Sequence, residues 1–175
     1  PSAFAAASLW AKSKVYIDHG LVARDADDFG TFHLWAALAL ELVAKASLAK
    51  IHPALVADPT QFESLLGACG HPVSDNTRTI GAKTVYQRLR SISKSFDERS
   101  ERFCMLMANR RNEELHSGAC PTEGLDPRAW VPEFWRIATL LNGLAGYELR
   151  EWVGEEEAAR VQELLADTSL IVTKA

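Results

Sequence analysis

The stretch FHLWAALALELVAKASL, residues 32–48, decides the fold class. Its large apolar side chains recur at three- and four-residue spacings, which is the period of one face of an α-helix. The residues that carry this spacing are Phe32, Trp35, Leu38, Leu42 and Leu48. Pro53 lacks the backbone N–H that a helix needs, so this long helix is predicted to stop near His52.

Helical patterns also dominate on both sides of this stretch. Helices are predicted over residues 2–17 with Gly20 just past the end, over residues 82–92, over residues 132–154 with Pro132 in the first turn, and over residues 155–165. Capping boxes at residues 60–63 and 95–98 are predicted to open a short helix ending near Ala68 and a long helix ending near His116. Several helices with short connections predict an all-α fold, a largely up-and-down helical bundle.

The length of 175 residues is enough for one domain with a real core. We expect residues 1–154 to form the bundle and residues 155–175 to form a C-terminal helix and tail, with the start of a further region as the open alternative. No apolar run is long enough for a transmembrane helix, and residues 1–7 lack the basic flank of a signal peptide. A cytoplasmic protein without a membrane partner is therefore expected.

The three cysteines, Cys69, Cys104 and Cys120, are widely spaced and form no CxxC pair. This spacing is typical neither of a disulfide framework nor of a zinc site. No HExxH motif and no tight cluster of metal-type ligands occurs in the sequence. We therefore predict no bound metal and no cofactor.

Positive charge is concentrated in one window of an otherwise acidic chain. Residues 78–111 hold nine Arg and Lys against three acidic residues, a net +6, so the rest of the chain carries −10 of the total of −4. Such a region can meet a polyanion, although a solvated charged helix face explains it equally well.

The window ends in the stretch NRRNEELHS, residues 109–117, which combines Arg111, Asn112 and His116. Arg followed directly by Asn, with His after four intervening residues, resembles the motif of the HEPN superfamily, Arg-x4–6-His with a polar residue after Arg. Requiring Asn in second place reduces the number of such matches expected by chance in this chain to roughly 0.01. The motif also lies near the end of a long helix, as in that family. The resemblance covers roughly residues 32–141 and implies that residues 1–154 form a HEPN-like bundle.

The resemblance implies an endoribonuclease that needs no metal. In this reaction the ribose 2′-hydroxyl attacks its own phosphate, so the nucleophile comes with the RNA. His116 is predicted to transfer the proton, Arg111 to bind the phosphate oxygens, and Asn112 to orient His116 or the phosphate. The family also implies a homodimer whose cleft holds two copies of the motif. A toxin–antitoxin or anti-phage role, with an antitoxin or regulatory protein as partner, is compatible with this hypothesis.

Three basic residues, Arg110, Lys83 and Arg88, are predicted to contact RNA. Two other interpretations stay open. In one, the chain is a non-catalytic HEPN dimerisation module that binds RNA, a nucleotide or a partner protein. In the other it is a structural bundle, with Arg111 in a salt bridge to Glu41 or Glu114 and His116 merely ending a helix.

Overall fold

The computed structural model describes residues 2–73 and 76–173, and in these ranges the fold is all-α. The eight helices that it describes are α1 (Ala6–Asp25), α2 (Phe29–Ile51), α3 (Phe62–Ala68), α4 (Ala82–Ile92), α5 (Glu98–His116), α6 (Val131–Ala145), α7 (Leu149–Val153) and α8 (Glu155–Thr173). Short 3₁₀ turns cover Pro53–Leu55 and Pro127–Ala129. In the same ranges the β-structure is limited to one isolated antiparallel bridge between Ala57 and Thr79. The predicted all-α bundle is confirmed.

Helix α2 is the centre of the bundle and packs against α1, α4, α5 and α6. Most of its side chains are buried, and many of those are alanine, which lets neighbouring helices approach closely. The Asp28 carboxylate caps its start by accepting a hydrogen bond from the Thr31 N–H. The helix ends at Ile51, before Pro53, as predicted. A central helix of this kind can present polar side chains to several neighbours at once.

The first helix runs eight residues further than predicted, to Asp25, and Gly20 lies inside it. The prediction treated Gly20 as a terminating glycine, but its role is close packing. A Cβ atom built at Gly20 would lie 3.2 Å from both Phe32 Cδ2 and Trp35 Cβ. A Cβ at this position would require Phe32 or Trp35 to shift by a few tenths of an ångström, so glycine allows α1 and α2 to pack closely here.

Neither predicted capping box forms. Helix α3 begins after Gln61 without a side-chain cap, because the Thr60 N–H and hydroxyl both bind the Asp58 carboxylate. Helix α5 is capped by Asp97, whose carboxylate accepts from the Ser100 N–H at 2.9 Å. The predicted ends near Ala68 and His116 are correct, so the errors concern the cap residues alone.

The predicted helix over residues 132–154 is two helices. Pro132 lies in the first turn of α6, as expected. Gly146 then adopts φ 89°, a left-handed conformation that ends α6, and α7 starts at Leu149. Gly154 has φ 87° and separates α7 from α8.

Hydrogen bonds from two tryptophans tie α1 to the C-terminal helices. Trp10 Nε1 donates to Asn142 Oδ1 at 2.7 Å, and Trp152 Nε1 donates to Ser13 Oγ at 2.9 Å. An ion pair between Arg24 and the largely buried Glu157 joins α1 to the beginning of α8. Helix α8 therefore packs on the bundle that residues 1–154 were predicted to form, and the division at that point stays a prediction. None of the helices in the described ranges is long and apolar enough to cross a membrane.

Candidate functional site

The C-terminal turns of α5 carry the three residues predicted to be catalytic. The helix continues without a break to His116, and Ser117 ends it in an extended conformation with φ −135° and ψ 175°. The Ser117 hydroxyl donates to the Glu113 carbonyl at 2.7 Å, which satisfies one of the open carbonyls at the helix end. From Asn112 to Cys120 every residue is exposed, so this end of α5 projects into solvent.

Arg111 turns away from solvent and towards α2. Its Nη1 donates to Glu41 Oε2, and its Nε and Nη2 donate to Asn112 Oδ1 at 3.1 and 2.9 Å. Its side chain is only 11% exposed. All three guanidinium nitrogens are thus bound to acceptors of the chain itself, and of the two salt bridges considered from the sequence the structure has the one to Glu41.

Glu41 also binds a second cation. Lys45 lies one turn further along α2, and its Nζ is 2.8 Å from Glu41 Oε1 and 3.1 Å from Thr79 Oγ1. The Glu41 and Lys45 side chains are 13% and 9% exposed. Burial alone would raise the pKa of Glu41, but the charges and hydrogen bonds of Lys45 and Arg111 outweigh it and hold the pKa below its ordinary value. Glu41 is therefore ionised at neutral pH.

The cluster of Arg111, Glu41 and Lys45 has an excess of one positive charge. Two cations share one carboxylate, and all three side chains are mostly shielded from water. Positive charge that is only half compensated in a poorly hydrated place attracts anions strongly. This end of the bundle therefore suits an anionic group, although the chain as a whole is acidic.

Asn112 and His116 face solvent one helical turn apart. Asn112 is bound to Arg111, whereas no hydrogen bond or ion pair of the described residues involves the His116 imidazole. On a regular helix Arg111 and His116, five residues apart, point about 140° apart around the axis. The helix is regular, and in one copy of the chain Arg111 points to α2 while His116 is exposed.

The structure separates the three residues predicted to contact RNA. Lys83 is exposed at the start of α4. Arg88, also on α4, donates from Nη1 to the Leu55 carbonyl at 2.6 Å and so braces α4 against the turn after α2. Arg110 is half-buried on α5 and lies near His33.

Much of the basic window is neutralised within the chain. Arg99 binds Glu133 at 2.9 Å, and Glu133 lies on α6, outside the window. Arg102 pairs with Glu98 on its own helix. Ion pairs therefore account for part of the positive charge that the sequence concentrates in residues 78–111, that of Arg90, Arg99, Arg102 and Arg111.

His33 is a feature that the sequence did not single out beyond a place at a helix start. It is 1% exposed, and its Nε2 has no hydrogen-bond partner. Its ring packs against Trp130 in a T-shaped arrangement, with the ring centroids 4.8 Å apart. Burial and, to a smaller degree, the charge of Arg110 lower the pKa of His33 to about 4. A signal for His33 was present in the sequence, because the four-residue spacing of His33, Ala37 and Glu41 places all three on one face of α2.

No group of three or more His, Cys, Asp or Glu in residues 2–73 and 76–173 is arranged to hold a metal ion. Comparisons of the chain with protein-family models, with curated proteins and with solved structures found no match. The HEPN resemblance therefore rests on the motif and its place at the end of α5.

Proposed function

We propose that this chain is a HEPN-type endoribonuclease that cleaves RNA without a metal ion, at a cleft formed by two copies of the chain. The observation that carries the proposal is the motif of Arg111, Asn112 and His116 at a solvent-exposed helix end, next to an excess positive charge. An RNA strand supplies the phosphate that this charge attracts and the 2′-hydroxyl that the imidazole can activate. The fold proposed with it is the HEPN-like form of the all-α bundle.

The reaction is an internal transesterification. His116 of one copy accepts the proton of the 2′-hydroxyl, and the 2′-oxygen attacks the adjacent phosphorus. The bond from phosphorus to the 5′-oxygen breaks, and His116 of the other copy donates a proton to that oxygen. The products are a 2′,3′-cyclic phosphate and a 5′-hydroxyl. Arg111 stabilises the negative charge that grows on the phosphate oxygens, and Asn112 orients His116 or the phosphate by hydrogen bonding.

Two copies are part of the proposal because one copy does not bring its own Arg111 and His116 together. Arg111 is directed to α2 and His116 to solvent. A second α5 end packed against the first would supply an imidazole of one copy to the guanidinium of the other. An antitoxin or other regulatory partner, a defence role and a cytoplasmic location stay predictions.

The test is cleavage of an end-labelled RNA oligonucleotide by purified protein in EDTA. Wild-type protein is expected to yield products with a 2′,3′-cyclic phosphate, and a single 2′-deoxy substitution is expected to block cleavage at that position. Arg111→Ala and His116→Ala should each lower the rate at least about a hundredfold, as the loss of a charge-stabilising or proton-transferring group does. Arg102→Ala and His19→Ala are matched controls, since both side chains are exposed and lie outside the motif. A requirement for magnesium, or full activity in both motif variants, would reject this mechanism.

One observation favours a second candidate, a non-catalytic HEPN module that binds RNA, a nucleotide or a partner protein. Three of the five N–H groups of Arg111 are engaged by Glu41 and Asn112 and its side chain is only 11% exposed, so in this conformation little of the guanidinium is available to a phosphate. RNA binding by a dimer without any strand scission would support this candidate over the nuclease.

A further inference from the structure

The ion pair of Arg111 poses a problem for any function that needs its guanidinium. Three of the five guanidinium N–H groups of Arg111 already donate within the chain, and its side chain is only 11% exposed. A phosphate is bound best by two parallel N–H donors of arginine. To present such a pair to a phosphate in solvent, the side chain must move outwards and give up Glu41, Asn112 or both. Which of these contacts can be released at low cost follows from their surroundings.

We propose that Glu41 and Lys45 are positioning residues that hold Arg111 in a resting place and release it when a phosphate binds. Glu41 retains the guanidinium against α2, and Lys45 is the counter-ion that stays with Glu41 when the guanidinium leaves. This inference rests on the proposed function, because it assumes that a phosphate of RNA is what draws Arg111 out.

The positions of the two Glu41 oxygens support this arrangement. Oε2 accepts from Arg111 and Oε1 accepts from Lys45 at 2.8 Å, so each cation has its own oxygen. If Arg111 were the only partner of Glu41, the departure of Arg111 would leave a largely buried carboxylate unpaired, which is strongly unfavourable. Lys45 removes that obstacle, and Thr79 Oγ1 keeps the Lys45 ammonium in place.

The contact to Asn112 is the easier one to break. Asn112 is exposed, so water can replace the hydrogen bonds from Arg111. The resting and released states therefore differ mainly in the contact between Arg111 and Glu41, and the balance between them depends on how strongly Glu41 holds the guanidinium.

Two substitutions should shift this balance in opposite directions. Glu41→Gln removes the charge that retains Arg111, so Arg111 should become more available. Lys45→Met removes the competing cation, so Glu41 should hold Arg111 more tightly and make it less available. General loosening of the bundle would instead move both variants the same way, so the opposite signs distinguish positioning from a structural role.

The first measurement is the rate at which phenylglyoxal, a neutral reagent specific for arginine, modifies Arg111, followed by mass spectrometry of the peptide. Relative to wild type, Glu41→Gln should raise the rate about tenfold, the factor expected if the resting state is populated about ten to one. Lys45→Met should lower the rate. Glu114→Gln is the matched control, because Glu114 is an exposed carboxylate near the same helix end that forms none of the ion pairs described. It should leave the rate within about twofold of wild type.

The second measurement is binding of a fluorescent 2′-O-methyl RNA oligonucleotide, which cannot be cleaved by this route. Glu41→Gln should bind it up to about tenfold more tightly, and the gain should vanish in Glu41→Gln combined with Arg111→Ala. Glu41→Asp, which withdraws the carboxylate by one methylene, should lie between wild type and Glu41→Gln and serves if the Gln variant does not fold.

Slower modification or weaker binding in Glu41→Gln, or shifts of the same sign in Glu41→Gln and Lys45→Met, would overturn the resting-place proposal. The two proposals fail separately. If wild-type protein does not cleave RNA, the proposed nuclease function fails, while the phenylglyoxal rates still decide whether Glu41 restrains Arg111.

Discussion

One substitution at His33 tests both its unpaired buried nitrogen and its lowered pKa. His33→Phe keeps a ring of similar size against the edge of Trp130 and deletes the buried Nε2 that has no partner. A buried polar atom without a hydrogen bond costs about 1–3 kcal/mol. At pH 7.5, where His33 is neutral in both folded and unfolded chains, the variant is therefore expected to be at least as stable as wild type.

The pH dependence has a definite sign and window. The pKa of His33 is about 4 in the folded protein, against an ordinary value of 6.5 that we take for the unfolded chain. Below pH 6.5 the unfolded chain binds a proton that the folded chain does not, so wild-type stability falls as the pH is lowered. The slope is about 1.4 kcal/mol per pH unit, which amounts to about 3 kcal/mol by pH 4 and no further loss below it.

The measurement is urea unfolding followed by circular dichroism at several pH values from 7.5 to 4.5, in wild type and in His33→Phe. Carboxylates of lowered pKa, such as Asp28 and Asp97, titrate in both proteins, so the difference between the two isolates His33. The advantage of the variant is expected to grow steadily as the pH falls from 6.5. A difference that stays constant over this range would show that His33 is solvated and titrates normally, which would contradict its lowered pKa.

Two further predictions concern the helices that support the site. Gly20→Ala should lower the free energy of unfolding by about 1 kcal/mol in thermal or urea unfolding, because the overpacking cost of about 1–3 kcal/mol against Phe32 and Trp35 exceeds the gain in helix propensity of about 1 kcal/mol. Gly143→Ala on α6 is its control, because beyond its own helix backbone and chain neighbours nothing lies within 4 Å of the added Cβ, so this variant should be more stable than wild type. A Gly20→Ala variant as stable as wild type would contradict the close packing of α1 against α2. Asp97→Ala should lower the free energy of unfolding by about 1 kcal/mol, because α5 loses its cap. Ser95→Ala, in the predicted capping box, should change it by less than about half as much. The reverse order in urea unfolding would contradict Asp97 as the cap.

The helices could be predicted from the sequence where a single pattern controls them. Helix α2 is apolar on nearly every side because it is surrounded by other helices, and proline fixes where it ends. Helix α4 was predicted with its exact bounds. Two of the errors in the helix bounds fall at glycines. Gly20 and Gly146 look alike in the sequence, yet one allows two helices to touch and the other turns the chain out of a helix, and the difference depends on what packs nearby.

The candidate site was predictable in position but not in contacts. The motif itself indicated that Arg111, Asn112 and His116 would lie at the end of a long helix, and they do. For Arg111 the sequence left two ion-pair partners open, Glu41 and Glu114. Glu41 and Arg111 are 70 residues apart along the chain, and this separation does not reveal whether they are close in the fold. Lys45 and His33 were missed for the same reason, since their roles come from helices packed beside α2.

The excess positive charge at Arg111 and Lys45 distinguishes this cluster from an ordinary structural ion pair. A lone buried ion pair is as compatible with a structural bundle as with an enzyme, because its charges cancel and it needs nothing else. A carboxylate shared by two cations is different, since the chain shields a positive charge without supplying its counter-ion. Retaining that imbalance costs stability unless an anion compensates it at some stage of function. The arrangement of Glu41, Lys45 and Arg111 therefore favours a protein whose working state includes a bound phosphate over one in which the motif is accidental.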